Sequence, residues 1–357
     1  MERFSVRAPG RVCLFGEHSD YLGLDVISAA LDLAMTIRCT RRNDLEISIK
    51  YLDLNEEDSF RVDSEVTYTH SRDYLRSAFN VLSRRGVSPK DGWNLEVTGD
   101  IPISAGLSSS SALTVAAIHA FSRMAGKVLS PQDVAMRAFE AEVVEFGESG
   151  GMQDHYASVH GGIIHLDLGA DYKTTRLPAA IEGLVIGDSL EKKEDTVADL
   201  RRIRTVIEKE YQRISEVIPD FNQRTTSTTR VAEISAEEPT EARRMALASL
   251  ENRDLTQRAY ELLLNQTPDL EELSHLIDLH HSLLKTGLKR STRKIEAMIS
   301  AAKSAGALGC KINGSGGGGT MLAIAPGNEV AVTEAIEGAG GIPYRIKIGS
   351  GASIESR

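Results

Sequence analysis

The chain has 357 residues and a net charge of −10, with 41% hydrophobic and 26% charged residues. This length exceeds the usual size of one hydrophobic core and predicts a globular protein of two domains. The acidic balance argues against nucleic acid as a partner, although a local cradle could still hold a nucleotide. The three cysteines are scattered, which leads us to expect no structural zinc, no disulfide and a cytoplasmic location. No apolar run approaches ~18 residues, so we expect no membrane span.

Hydrophobic periodicity predicts mixed secondary structure along the chain. Strands are expected at 4–8, 12–15, 26–39, 45–51, 93–97, 161–168, 184–186, 310–313 and 320–324, with a break at Pro9-Gly10. Helices are expected at 74–84, 113–121, 131–146, 196–214, 240–263, 270–284 and 292–305. Strict βαβ alternation is missing, which predicts an α+β fold. We place the boundary between domains 1–175 and 176–357 in the polar stretch 169–178.

Residues 101–112 form a Gly/Ser-rich loop between a predicted strand and a predicted helix. A loop that opens a helix presents unpaired backbone N–H groups at the positive end of the helix dipole, which suits phosphate. The hydroxyls of residues 108–111 could add contacts to phosphate oxygens or to Mg²⁺. The alternative is a serine N-cap over an ordinary turn, and this loop alone leaves both open.

Titratable groups cluster around the end of the strand predicted at 12–15. Arg11 precedes that end, and Glu17, His18 and Asp20 follow it. Carboxylates and an imidazole in this position could bind a substrate that carries hydroxyl groups. The alternative is an acidic polar loop with no ligand.

A second pair of carboxylates stands further along the chain. Glu142 lies on a predicted helix, and Asp154 follows the pair Gly150-Gly151, which permits close approach to a ligand. One carboxylate for Mg²⁺ and another near an acceptor hydroxyl meet the needs of metal-assisted phosphoryl transfer. An acidic helix face and an aspartate in a turn are the alternative.

A glycine-rich run occupies positions 314–319, between two apolar segments. A flexible linker has a similar composition. A linker is not expected between two apolar segments, so we favour a packed functional loop.

In this order the segments resemble the three motifs of the GHMP kinases, a family that includes galactokinases, homoserine kinases and mevalonate kinases. The matching segments are 10–21, 102–112 and 314–319, so the resemblance covers almost the full chain. The stretch 16–21 is similar to the galactokinase signature. The resemblance implies an N-terminal domain like ribosomal protein S5 domain 2, a ferredoxin-like C-terminal domain, and an active site between them.

The resemblance also implies roles for individual residues. Asp154 would be the catalytic carboxylate and Arg11 its partner, while Ser110 and Glu142 would hold Mg²⁺. ATP would lie over the serine loop, and the third motif would close the site. The implied substrate contacts are Glu17, His18, Asp20 and Gly151, and the implied ATP contacts are Gly106, Leu107, Ser108, Ser109, Ser110, Ser111, Ala112 and Gly316.

Two regions depart from the galactokinase pattern. His155 follows Asp154 where a glutamine is usual. Asp188-Ser189 replaces an Asn-Ser or Asn-Thr pair, and the stretch 199–202 lacks the usual sugar-contacting tyrosine. Recognition of a different sugar could therefore involve Asp188 or a nearby cation, with the candidates Lys192, Lys193 and Arg201.

We therefore expect an ATP- and Mg²⁺-dependent kinase that phosphorylates a monosaccharide, galactose or a related sugar, at its anomeric hydroxyl. One rival is a kinase for a non-sugar alcohol such as a mevalonate-like acid, against which the pair Asp20-Tyr21 argues. The other rival is a sensor that binds sugar and nucleotide without turnover. Retention of the implied catalytic and metal residues argues against a sensor.

Overall fold

The computed structural model describes residues 2–102, 105–169, 172–192, 196–237 and 239–356. Its strands are β1 (Arg3–Phe15), β2 (Val26–Arg41), β3 (Glu46–Tyr51), β4 (Glu56–Arg61), β5 (Trp93–Gly99), β6 (Ile163–Asp167), β7 (Lys173–Leu177), β8 (Leu184–Asp188), β9 (Gly309–Asn313), β10 (Thr320–Ile324), β11 (Ile342–Ile346) and β12 (Ser353–Ser356). Its helices are α1 (Tyr74–Ser83), α2 (Ser109–Met124), α3 (Pro131–Phe139), α4 (Gln153–His160), α5 (Thr196–Val217), α6 (Thr228–Glu237), α7 (Glu241–Leu263), α8 (Leu270–Ser282), α9 (Arg293–Ser304) and α10 (Glu329–Gly338). Among these helices, none combines the length and the apolar character needed to cross a membrane.

The described strands form two sheets. The first has the order β12-β1-β2-β5-β3-β4, and β6 pairs with β2 and with β7. The second is antiparallel with the order β11-β8-β10-β9, and helices α9 and α10 pack beside it. Along the chain this second sheet is built from β8, a helical segment, the hairpin β9-β10, helix α10 and β11, which is the pattern of a ferredoxin-like sheet. The expected α+β fold is confirmed.

Strand β1 is continuous, so the break predicted at Pro9-Gly10 is wrong. The register with β2 shifts between Pro9 and Arg11, which shows that the strand absorbs these two residues as an irregularity. Gly10 is required there because a Cβ atom would lie 2.5 Å from the carbonyl oxygen of Leu107. The close approach brings the serine loop against β1.

The polar stretch that we took as the domain boundary contains strand β7. The boundary expected between 175 and 176 falls inside β7, which pairs with β6 in the first sheet. The C-terminal strand β12 also returns to the first sheet, where it pairs with β1. The first sheet therefore receives strands from both ends of the chain.

A buried apolar cluster joins the two sheets. It contains Val12 and Phe15 of β1, Ile186 of β8 and Leu322 of β10, all at most 1% exposed. Helices α7 and α8 contribute further apolar side chains to the same cluster. Because this cluster fixes β1 against β10, the loops that follow β1 and β9 meet at one end of the interface between the sheets.

Candidate active site

A cavity of about 810 Å³ lies where the loop after β1, the serine loop, α4 and the glycine-rich loop meet. Most of the residues implied as site residues reach its wall: Arg11, Glu17, His18, Asp20, Gly106, Ser108, Ser109, Ser110, Ser111, Glu142, Gly151 and Asp154. Leu107, Ala112 and Gly316 are not among the lining residues, and the side chains of Leu107 and Ala112 are buried in the apolar cluster between the sheets. The structure thus gathers residues that are distant in the sequence around one cavity.

Hydrogen bonds connect the three motifs directly. The Arg11 guanidinium donates to the Gly106 carbonyl over 2.9 Å, and the backbone N–H of Arg11 donates to Leu107. Asn313, just before the glycine-rich loop, accepts from the Cys13 N–H over 3.1 Å and donates to Gly106 over 3.1 Å. The Gly106 carbonyl is therefore a shared anchor for the first and third motifs.

The serine loop enters helix α2 through a residue that does not cap it. Ser108 has a left-handed backbone with φ of 62°, and its side chain makes no capping bond to the helix. Its hydroxyl instead donates to Asp154 Oδ2 over 2.6 Å. The first turn of α2 consequently presents its backbone N–H groups without a serine cap, and Ser109 and Ser110 stand at the cavity wall.

Asp154 lies in the first turn of α4 and is held from two sides. Arg11 Nε donates to its Oδ1 over 2.7 Å, opposite the bond from Ser108. Burial, the largest single influence, acts to lower the pKa of Arg11, but the nearby negative groups, Asp154 first among them, together raise it. Helix α4 was missed in the sequence because it has eight residues that are mostly buried and so carries no amphipathic period.

Asp20 lies close to Asp154 and shares the cavity with it. Its oxygens accept from the backbone N–H of Tyr21 over 3.0 Å and of Gln153 over 3.5 Å. Burial, reinforced by the negative charge of Asp154, raises the pKa of Asp20 to about 6. Gly151 makes room for this carboxylate, since a Cβ atom there would lie 1.8 Å from Asp20 Oδ2.

Glu17, three residues before Asp20, is engaged in the protein interior. Its carboxylate accepts from the Lys311 ammonium and from the backbone N–H of Gly314. Lys311 also donates to the Cys13 carbonyl over 2.9 Å, and its side chain has no exposed surface. Burial raises the pKa of Glu17 although Lys311 acts in the opposite direction. The pair links the end of β1 to β9 and the glycine-rich loop.

His18 packs beside Tyr21 within the first motif. Its backbone has a φ of 64°, and its Nδ1 lies 2.8 Å from the Tyr21 hydroxyl. The two rings meet edge to face with centroids 5.9 Å apart. His18 is thereby held in a buried position at the cavity wall.

Glu142 reaches the cavity from an irregular part of its helix. Helix α3 ends at Phe139, earlier than the predicted 146, and residues Glu140–Val144 form a π turn. Such turns are frequent at functional sites. Glu142 Oε2 lies 2.7 Å from Nε2 of His155, the residue that departs from the galactokinase pattern.

Two further lining residues, Arg72 and Tyr74, were not identified from the sequence. Arg72 pairs with Glu148 over 2.6 Å, and Tyr74 lies nearby at the start of α1. No short motif marks either residue, because only the fold brings them to the cavity.

The candidates for recognition of a different sugar have separate positions. Asp188 and Lys192 line the cavity, while Lys193 lies outside the described residues. Arg201 is exposed, does not line the cavity, and donates to the Gly147 carbonyl.

Three protein-family models match this chain, and all three describe GHMP kinases or galactokinases. The model of the GHMP kinases N terminal domain matches residues 73–162, and that of the GHMP kinases C terminal domain matches residues 259–340. The galactokinase galactose-binding signature matches residues 1–41.

The relatives described below each cover more than nine tenths of the chain. The mevalonate kinase of Thermococcus onnurineus is 31% identical, with 97% of this chain and 96% of that protein covered. The galactokinase of Actinobacillus succinogenes is 28% identical over 91% of this chain and 86% of that protein. The crystal structure of Lactococcus lactis galactokinase complexed with galactose shares the fold, with a TM-score of 0.88, 20% identity, and coverage of 98% of this chain and 95% of that one. The chain belongs to the GHMP kinase family and is an ATP-dependent phosphotransferase.

Proposed function

We propose that this kinase transfers the γ-phosphoryl group of ATP to the anomeric hydroxyl of a monosaccharide. The charge of the cavity wall is the observation that carries the sugar assignment. Its acidic lining residues are Glu17, Asp20, Glu142, Glu148, Asp154, Asp188 and Glu191, and its basic ones are Arg11, Arg72 and Lys192. Carboxylates accept hydrogen bonds from neutral hydroxyl groups, whereas they repel an acidic substrate.

A mevalonate-like acid is the second candidate, favoured by the 31% identity to a mevalonate kinase. Such a substrate needs a cation for its carboxylate. Arg11 and Arg72 are already paired with carboxylates, which leaves Lys192 as the cation without an ion pair among the described lining residues. Lys192 is exposed, so it gives weaker support for an acid than the carboxylates give for a sugar.

Asp154 and Arg11 have the geometry for the transfer step. We propose that Asp154 accepts the proton of the sugar hydroxyl as the oxygen attacks the γ-phosphorus, while the bond to the leaving ADP oxygen breaks. Arg11 orients the Asp154 carboxylate through the bond of 2.7 Å. The N–H groups at the start of α2 would bind the phosphates of ATP, so that positioning and charge neutralisation supply most of the rate.

Ser110 and Glu142 are the proposed protein ligands of Mg²⁺. Both line the cavity, and Glu142 Oε1 has no hydrogen-bond partner within the described chain. No group of three or more His, Cys, Asp or Glu residues in the described part of the chain could hold a metal unaided. This fits Mg²⁺, which commonly takes only one or two protein oxygens and completes its shell with phosphate oxygens and water. Bound there, Mg²⁺ would neutralise phosphate charge.

The structure around Asp188 supports a sugar other than galactose as the preferred substrate. Asp188 is buried at the end of β8, where its Oδ1 accepts from the Leu190 N–H over 2.9 Å. A carboxylate in place of the usual amide can accept hydrogen bonds but cannot donate them. The set of hydroxyl groups that the pocket accepts should therefore differ from that of galactose.

Three buried thiols without disulfides, Cys13, Cys39 and Cys310, support our proposal of a reducing, cytoplasmic setting.

The test is an ADP-release assay with Mg²⁺-ATP over free hexoses, pentoses, amino sugars, uronic acids and mevalonate. We expect turnover with a neutral sugar and a kcat/KM for galactose below that of the best substrate. A higher kcat/KM for mevalonate than for every sugar would overturn the sugar assignment. Sugar binding by calorimetry without ADP release from any acceptor would instead indicate a sensor. Galactose as the best substrate by a wide margin would contradict the role given to Asp188.

A further inference from the structure

The imidazole of His155 lies beside Glu142, and both residues belong to the wall of the cavity. His155 is 1% exposed, and its Nε2 lies 2.7 Å from Glu142 Oε2. Because an ionised carboxylate can only accept, this nitrogen carries the hydrogen and donates it. The other ring nitrogen, Nδ1, is buried and has no partner within the described residues. The bond to Glu142 is thus the polar contact that this side chain makes in the described chain.

The surroundings hold both members of the pair. The His155 ring meets Phe139 edge to face, with centroids 5.7 Å apart and an angle of 84°. Glu142 sits in the π turn Glu140–Val144, whose backbone is less regular than the helix before it. A side chain on such a turn benefits from an external contact that selects one orientation, and His155 supplies that contact from α4.

We propose that His155 is a positioning residue that fixes Glu142 Oε2, so that Oε1 stays directed to the divalent cation of the bound nucleotide. The proposal rests on the function proposed above, in which Glu142 is a metal ligand. It extends that function by giving α4 a second role. Asp154 acts toward the acceptor hydroxyl, and the next residue orients the metal ligand.

Simple packing is the alternative explanation for a buried histidine. A packing role requires the shape of the ring but not its N–H group, whereas a positioning role requires the donor at the place of Nε2. Loss of a hydrogen bond to a metal ligand typically reduces metal affinity about 10- to 100-fold. The two explanations therefore predict different metal affinities for side chains of similar size.

The experiment measures Mn²⁺ binding to the full-length enzyme with saturating ADP, by the loss of the free Mn²⁺ electron paramagnetic resonance signal. The variants are H155L, which removes the donor, H155Q, whose amide nitrogen can occupy the place of Nε2, and H155N, whose amide is too short to reach. E142Q is the reference for a damaged ligand. H119L is the matched control, since it removes a partly buried imidazole from α2 whose Nε2 has no partner in the described chain.

We expect H155L and H155N to raise the Kd of Mn²⁺ about 10- to 100-fold, with H155Q and H119L close to wild type. ADP binding without metal should stay unchanged in all of them. Wild-type Mn²⁺ affinity in H155L, or equal weakness in H155Q and H155N, would overturn the positioning role. If H155L does not fold, the comparison of H155Q with H155N still decides. The assay contains no acceptor, so a wrong sugar assignment would leave its outcome unchanged, while a normal Kd for E142Q would remove Glu142 as the ligand and refute the proposal.

Discussion

Glu17 and Asp20 stand three residues apart in one motif, yet the fold gives them different environments. Glu17 is 2% exposed, and its carboxylate is bound to Lys311 and to the Gly314 N–H across the interface between the sheets. Asp20 faces the cavity, where its carboxylate accepts from two backbone N–H groups and Asp154 is the charged residue that acts on it most strongly. The first carboxylate is paired with a cation, and the second is left next to another anion.

The difference indicates how the motif divides its work. An ion pair buried between β1 and β9 fixes the relative position of the first and third motifs. A carboxylate kept beside a like charge is destabilising by itself, which is common where function rather than stability selects a residue. We therefore infer that Glu17 mainly joins the two sheets, and that Asp20 contacts the substrate. Both residues remain predicted substrate contacts from the sequence, and the variants below separate the two roles.

The largest effect is expected on the cavity side, at Asp154. D154N keeps the shape of the side chain but cannot accept the hydroxyl proton, and positioned bases typically contribute about 10²- to 10⁴-fold in rate. We expect kcat to fall by that factor while ATP binding, measured by calorimetry, is retained. Near-normal kcat at saturating substrate would show that Asp154 does not act as the base. A lost ATP affinity would point to a structural defect instead.

The interface side should respond in stability. K311M leaves the buried Glu17 carboxylate without its cation, and removing one partner of a buried pair costs about 3–5 kcal/mol. The matched control is K303M, because Lys303 forms an exposed pair with Asp278, a class worth about 0–1 kcal/mol. Urea unfolding of both variants measures the difference. Equal stabilities for K311M and K303M would show that Glu17 is not held by Lys311 and would return it to a substrate role.

The sequence predicted much of the site because the three motifs are local. The motifs predicted that Ser108 contacts ATP and that Asp154 is the catalytic carboxylate, and the structure brings both residues to one cavity. The Glu17–Lys311 pair joins positions 294 residues apart, and no periodicity or motif in one sequence encodes such a contact.

Local sequence patterns were a poor guide where buried side chains make contacts with distant parts of the chain. The sequence left a serine N-cap on α2 open as an alternative, but Ser108 has a left-handed backbone and its hydroxyl donates to Asp154. The helix predicted to continue to 146 changes to a π turn at Glu140, which allows Glu142 to meet His155. In each case a contact that forms only in the folded chain overrides the local preference.

The contact between Gly151 and Asp20 offers a steric test of the cavity side. G151A would force the Asp20 carboxylate away, because the new Cβ atom would lie 1.8 Å from its Oδ2. A lost hydrogen bond to a charged group costs about 1.5–3 kcal/mol, so kcat/KM should fall about 10- to 100-fold. G150A is the matched control, since its Cβ atom would meet only Val143 Cγ2 at 3.7 Å. If both variants have the same kcat/KM, Asp20 does not contact the substrate from its present position.

The smallest effect is a gain in stability. The folded protein holds the pKa of Asp20 at about 6, above the ordinary 3.8, so folding favours the protonated form. Stability should therefore decrease as the pH rises from 4 to 6, and the loss is complete above pH 6. D20N removes the charge and should stabilise the protein at pH 7.5 by about 1–2 kcal/mol, less than the full shift implies because Asp20 keeps some contact with water. Near pH 4 the variant and the wild type should have the same stability.

Urea unfolding at the two pH values measures this difference. D44N is the control, because the pKa of the exposed Asp44 is shifted in the opposite direction, to about 2, by Arg42. Removal of the Asp44 charge should therefore bring no gain in stability at pH 7.5. A gain for D20N that is the same at both pH values would show that Asp20 is not strained by its charge. In that case Asp20 and Asp154 would have to share a proton or a bound cation, because two neighbouring carboxylates otherwise repel each other. The contrast between Asp20 and Glu17 would then be supported only by the result for K311M.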